Sequence, residues 1–223
     1  MNFKLVFKLA GKTLLVAAAC MVLPLLVTLL YREDPMPFLS AMGITALAGL
    51  LLSLLRADTR FNSREGFFSA GLIWLLVGFF GALPFQFSGY FPSFVDCLFE
   101  SISGFTTTGA SILTAVEPLP KGILFWRSFI HWLGGMGILV LTIALLPSLG
   151  ARTLHVMKAE SPGPIISKLV PKSSQSSKIL YGIYLVLTVL VILALRAAGM
   201  DWFDSVTHAF ATAGTGGFST RNL

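Results

Sequence analysis

Five stretches of this chain are apolar over about the 20 residues that a helix needs to cross a bilayer. They are Thr13–Leu30, Phe38–Leu55, Phe67–Phe85, Gly122–Leu146 and Ile179–Leu195. Chains that carry several such runs fold in lipid, where each span must satisfy its own backbone as a helix. Composition agrees. Apolar residues make up 55% of the 223 residues and charged residues 12%, where soluble domains carry about 25% charged residues. The surface of a soluble fold of this size would have to be largely apolar. The expected fold class is therefore an all-α integral membrane protein. Pro24 lies inside the first run, which a membrane helix tolerates. The Ala17–Ala19 run before Cys20 has the look of a cleavage site, but the apolar stretch continues to Leu30, so it reads as a span rather than a removed signal.

The charges between the runs set the orientation. Lys4, Lys8 and Lys12 precede the first run. Arg56, Arg60 and Arg64 separate the second from the third, and Arg152, Lys158, Lys168, Lys172 and Lys178 the fourth from the fifth. These alternate segments hold three acids, Asp58, Glu65 and Glu160; the other seven (Glu33, Asp34, Asp96, Glu100, Glu117, Asp201, Asp204) fall on the opposite side. The positive-inside rule then places the N-terminus and the Arg152–Lys178 loop in the cytoplasm. Basic residues scattered through loops, with no aromatic interleaving, do not make a nucleic-acid surface. Cys20 and Cys97 are isolated and fit ordinary packing.

Two segments do not fit spans. Between the third and fourth runs, Ser93–Ser103 has helical spacing through Phe94, Val95, Leu98, Phe99 and Ile102. Asp96 suits the positive end of its dipole, and Gly104 is expected to end it. Phe105-Thr106-Thr107-Thr108-Gly109-Ala110-Ser111 follows, a poor helix and a good extended loop that exposes carbonyls. A half-helix, a Thr/Gly loop and a return to the same face make a re-entrant segment, which survives at membrane depth only where it is buried or lines water. Potassium filters use such carbonyls in place of the hydration shell. Alone, the segment fits an external Thr-rich turn equally well. A second copy favours the re-entrant reading: Trp202–Ser219 aligns with Phe94–Ser111 without a gap, placing Asp204 on Asp96, Thr215 on Thr107, Gly217 on Gly109 and Ser219 on Ser111. The second loop, Gly214-Thr215-Gly216-Gly217-Phe218, is richer still in glycine. Repeats with unwound backbone are common in transport folds.

Other residues invite two readings each. Gly134, Gly135 and Gly137 fit close helix packing or a bend that lets the helix approach a pore. Arg127 and His131 lie one turn apart, where polar side chains pair or line water. Glu100 is a candidate partner for Arg127, and snorkelling to the interface is the alternative. His208 aligns with Glu100 and is expected behind the second loop. No histidine or carboxylate pair stands at metal-ligand spacing. The spans contain no Asp or Glu, and neither GxSxG nor HExxH occurs, so no enzyme is indicated.

Asp96–Ser111, Trp126–Gly137, Lys158–Pro171 and His208–Asn222 together resemble the membrane subunit of the Trk/Ktr potassium transporters. The resemblance runs over nearly the whole chain. It implies helix–pore-loop–helix repeats around one potassium-channel-like pore: a helix pair (residues 1–60), a first repeat (66–150), a basic cytoplasmic loop (151–177) and a second repeat (178–223) that stops after its filter loop. Thr106, Thr107, Thr108, Gly109 and Ala110 would form one filter strand, and Gly214, Thr215, Gly216, Gly217 and Phe218 another. The implied function is potassium uptake across the bacterial inner membrane, with channel-like passage and sodium- or proton-coupled symport both open. Potassium is the only ligand implied, without cofactor or other metal. The implied partners are the bilayer, a cytosolic nucleotide-binding regulatory subunit that could dock on the Arg152–Lys178 loop, and a second copy of the full-length protein. The chain reads as the N-terminal half of such a transporter, a fragment or truncated product expected to carry no selective current alone. A non-transporting scaffold is the alternative.

Overall fold

The computed structural model describes residues 3–55, 63–137 and 173–222. Among them all regular structure is helical: α1 (Phe3–Cys20), α2 (Val22–Leu30), α3 (Met36–Ser53), α4 (Ser63–Gly81), α5 (Leu83–Ser88), α6 (Phe94–Phe105), α7 (Lys121–Gly135), α8 (Ser173–Ala197) and α9 (Trp202–Ala213). Among the described residues four stretches are long and apolar enough to cross a membrane: Phe3–Leu30, Met36–Ser53, Gly66–Ser88 and Ile179–Ala197.

The first span is α1 and α2 joined at Met21. Pro24 has no N–H to offer the preceding turn and crowds its carbonyl, which breaks the helical ladder there. The third span breaks in the same way at Ala82, two residues before Pro84. Its helix starts at Ser63, earlier than Phe67, and α1 starts at Phe3, so Lys4, Lys8 and Lys12 lie on the helix itself rather than in a preceding loop. α3 folds back onto α1 through facing glycines. A Cβ on Gly11 would lie 2.8 Å from the Gly49 carbonyl oxygen, and one on Gly49 2.9 Å from that of Gly11. This is the close backbone approach that small residues allow in membranes.

The expected fourth span, Gly122–Leu146, is helical as α7 only to Gly135. Met136 follows and Gly137 takes a left-handed φ of 69°, the usual way for glycine to end a helix. Residues 138–172 lie outside the described residues, and with them most of the Arg152–Lys178 loop. Ser173–Lys178, expected within that loop, are already helical as the start of α8. Along α8, Ile183, Val186, Leu187, Leu190 and Leu193 are all exposed, the aspect of a helix that meets lipid.

Glu33, in the turn between α2 and α3, binds the start of α7. Its carboxylate oxygens accept from the Lys121 and Gly122 amides at 2.6 and 2.9 Å. Pro120, the residue before α7, offers no side-chain cap, so a carboxylate from a distant turn satisfies two of the orphan donors of that helix and its dipole. This contact puts the α2–α3 turn and the start of α7 at one face of the bundle. The start of α9 lies there too: the Phe203 ring packs edge-on against Tyr31, with Lys121 above it at 4.5 Å.

Candidate functional site

α6 and α9 are each 12 residues long, about 18 Å at 1.5 Å per residue and short of the ~30 Å hydrocarbon core. Each is capped at its start by a side chain that accepts an amide proton three residues on: Ser93 from Asp96, Asp201 from Asp204. The chain then returns to the face it left. After the first loop it reaches Lys121 beside Glu33; after the second, Asn222 accepts from the Val116 amide at 2.8 Å. Both segments thus double back along their own helix; α6 spans Phe94–Phe105 where Ser93–Ser103 is expected, one residue later at its start and two at its end.

Their ends differ from expectation. Gly104 does not stop α6, which continues through Phe105. Gly104 is needed for packing instead, since a Cβ there would run into the Ile130 side chain. The helix ends on Thr107 at φ 57°, and α9 ends on the aligned Thr215 at φ 56°. The hydrogen bonds are the same in both. The amides of Thr107 and Thr108 reach the carbonyls of Gly104 and Ser103 at 3.0 and 2.9 Å, and those of Thr215 and Gly216 reach Thr212 and Ala211 at 3.0 and 2.9 Å. This is a Schellman ending, which ordinarily puts glycine at the left-handed position. A β-branched residue there costs roughly 1–2 kcal/mol, and such strain persists where the surroundings over-determine it, often at functional sites. Gly109 and Gly217 repeat the positive φ two residues later, at 73° and 92°.

The loops touch each other. A Cβ on Gly109 would overlap the Gly216 carbonyl oxygen. α7 supports both from behind: a Cβ on Gly134 would enter the Phe105 backbone, and one on Gly135 would lie 2.7 Å from the Gly214 Cα. Gly134 and Gly135 thus give α7 close packing against the loops. Among the described residues no donor reaches the carbonyls of Thr106, Thr107, Thr108 and Gly109, or those of Gly214, Thr215, Gly216 and Gly217. Ala110 is the exception, accepting from the Ser103 hydroxyl at 2.6 Å. Thr106, Thr108, Thr215 and Gly217 are exposed.

The residue after each loop is anchored in the same way. Ser111 donates its hydroxyl to Glu100, eleven residues back, and accepts from the Leu113 amide at 3.1 Å. Ser219 meets the ring Nε2 of His208, also eleven back, at 3.3 Å, and accepts from the Arg221 amide at 2.9 Å. His208 sits behind the second loop as its alignment with Glu100 implies. Glu100 pairs with Arg127: Nε and Nη2 both lie 2.7 Å from its Oε1, with the side chains 0% and 2% exposed. Burial decides against a snorkelling Arg127. His131, also buried, stacks on Phe218 with ring centroids 4.1 Å apart. Deeper in the first turn of α9, Asp204 accepts from Thr220 at 2.7 Å and from Arg221 at 2.6 and 3.0 Å. Burial alone would raise its pKa, but the hydrogen bonds from Thr220 and Arg221 outweigh burial and hold it below the ordinary aspartate value. Among the described residues no group of His, Cys, Asp and Glu is placed to hold a metal ion.

Residues 36–222 match the family model of the TrkH cation transport proteins. Over its whole length the chain is 41% identical to the Trk system potassium uptake protein of Halomonas elongata and 41% identical to that of Escherichia coli, covering 47% of each. A cation transporter of Methanocaldococcus jannaschii is 33% identical over 89% of this chain and 42% of its own. The crystal structure of the potassium transporter TrkH from Vibrio parahaemolyticus superposes on all of this chain and 45% of that one, with a TM-score of 0.82 at 34% identity. The chain spans about half the length of the relatives it matches.

Proposed function

The chain belongs to the TrkH family of cation transport proteins, and from that premise we propose that it supplies half of a pore for potassium uptake across the bacterial inner membrane. The helices α1–α3 brace two repeats, the first opening with α4 and the second with α8 at Ser173, and the basic segment before α8 is cytoplasmic. Thr106–Ala110 and Gly214–Phe218 are two filter strands. One observation carries this reading: two aligned loops, each entered through a left-handed threonine and touching the other, keep a run of carbonyls that no donor among the described residues reaches. Backbone carbonyls free of donors can replace the water around a cation. The carbonyl ends of α6 and α9 add negative potential where those loops begin. Exposed acids on the side assigned as outer, Asp34, Glu117 and Asp201, suit cation entry there.

The test is transport. Joined to the half of the Escherichia coli relative that it does not span, the chain should restore growth at low potassium to cells without their own uptake system. A chimera present in the membrane that supports neither growth nor uptake would overturn the proposal.

By the positive-inside rule the N-terminus faces the cytoplasm, as does the basic loop. That loop is the docking surface for a cytosolic nucleotide-binding subunit, and the full-length protein pairs as a homodimer; both rest on the Trk/Ktr resemblance. The sidedness has its own check. A cysteine at Lys4 should resist an impermeant thiol reagent applied outside, while one at exposed Asp34 should react. Labelling at Lys4 from outside would reverse the orientation.

A further inference from the structure

Arg127 belongs to neither loop, yet it holds the exits of both. Its Nη2 reaches the Ser111 hydroxyl at 3.1 Å, its Nη1 the Ser219 carbonyl at 3.1 Å, and its guanidinium lies 4.2 Å over the Phe218 ring. Its remaining reach is spent on Glu100, whose second oxygen accepts from the Ile112 amide at 3.2 Å. One buried cation therefore binds α6, the residue after Ala110, the residue after Phe218, and Phe218 itself. We propose that Arg127 and Glu100 are positioning residues which hold the two filter strands in register, so that the preference for potassium over sodium depends on this clamp. The proposal rests on the loops being filter strands.

Three features favour a clamp over a structural ion pair. A planar fork can serve three partners in fixed directions, which a lysine ammonium on a flexible stem cannot. The strands are in backbone contact through Gly109 and Gly216, so displacing one exit displaces both sets of carbonyls. The arrangement is also asymmetric. His208 replaces Glu100 in the second repeat; its Nδ1 meets the Asp204 carbonyl and its Nε2 the Ser219 hydroxyl, leaving the Ser219 carbonyl to the cation of the first repeat.

Uptake of potassium and sodium by the chimera, measured in competition, tests it with Arg127→Lys, Ser111→Ala and Gly109→Ser. A structural defect lowers the number of working transporters and so both fluxes alike, leaving their ratio fixed. The clamp predicts that Arg127→Lys lowers the ratio by about tenfold. Ser111→Ala, which strands no charge and so keeps the fold, should lower it by about threefold. An unchanged ratio in either variant, with the ratio altered in Gly109→Ser, would overturn the clamp and leave the filter reading standing. An unchanged ratio in all three would overturn both.

Discussion

Gly109→Ser is expected to abolish most of the preference for potassium over sodium in a transporter carrying this chain. Two effects act together. At φ 73° a residue with a Cβ is disfavoured by roughly 1–2 kcal/mol. The new Cβ would also overlap the Gly216 carbonyl oxygen, which is backbone and has no rotamer to yield. Relief comes only by turning one of the two loops, and with it the carbonyls assigned to the ion. Each 1.4 kcal/mol lost in discrimination is tenfold, so a decline of at least about tenfold in the potassium-to-sodium uptake ratio should follow. An unchanged ratio would mean that this loop is not the filter.

Glu100→Ala should be the most damaging single change to stability. It leaves Arg127 charged and buried with its main partner gone, a loss that costs about 3–5 kcal/mol in comparable pairs. It also removes the acceptor for the Ser111 hydroxyl and the Ile112 amide. Thermal unfolding of the purified chain in detergent would register this as a large fall in midpoint. Replacing Glu100 and Arg127 together by leucine should cost less than Glu100→Ala alone, since an uncompensated charge is worse than an absent pair. A midpoint for Glu100→Ala within a degree or two of the parent would contradict this account of the clamp.

Much of this architecture is legible in the sequence because lipid makes the pattern simple. Apolar runs long enough to cross a bilayer stand out from composition, and the gap-free match of Trp202–Ser219 to Phe94–Ser111 points to both short helices, the first to within two residues at its end. The same match places Thr107 with Thr215 and Ser111 with Ser219. What these residues do is less legible. Propensity gives no reason to put a threonine in the left-handed region, so Gly104 is the natural terminator on paper; packing against Ile130 explains that glycine, and the strained threonine is fixed by tertiary context. The end of α7 at Gly135 is hidden because the apolar run continues to Leu146, and hydropathy does not register a turn made by Gly137. Glu33 caps a helix 88 residues away, a pairing no local pattern contains. Arg127 has two reasonable fates on paper, and only the burial of Glu100 decides between them.

The central claim is that the carbonyls of the two loops, which no donor among the described residues reaches, bind the ion. Thallium(I) substitutes for potassium and scatters X-rays anomalously, so a crystal of the chimera grown with it locates the ion directly. Anomalous density bordered by the carbonyls of Thr106–Gly109 and Gly214–Gly217 is the predicted result. Ordered thallium elsewhere along the pathway, with none beside these loops, would contradict it.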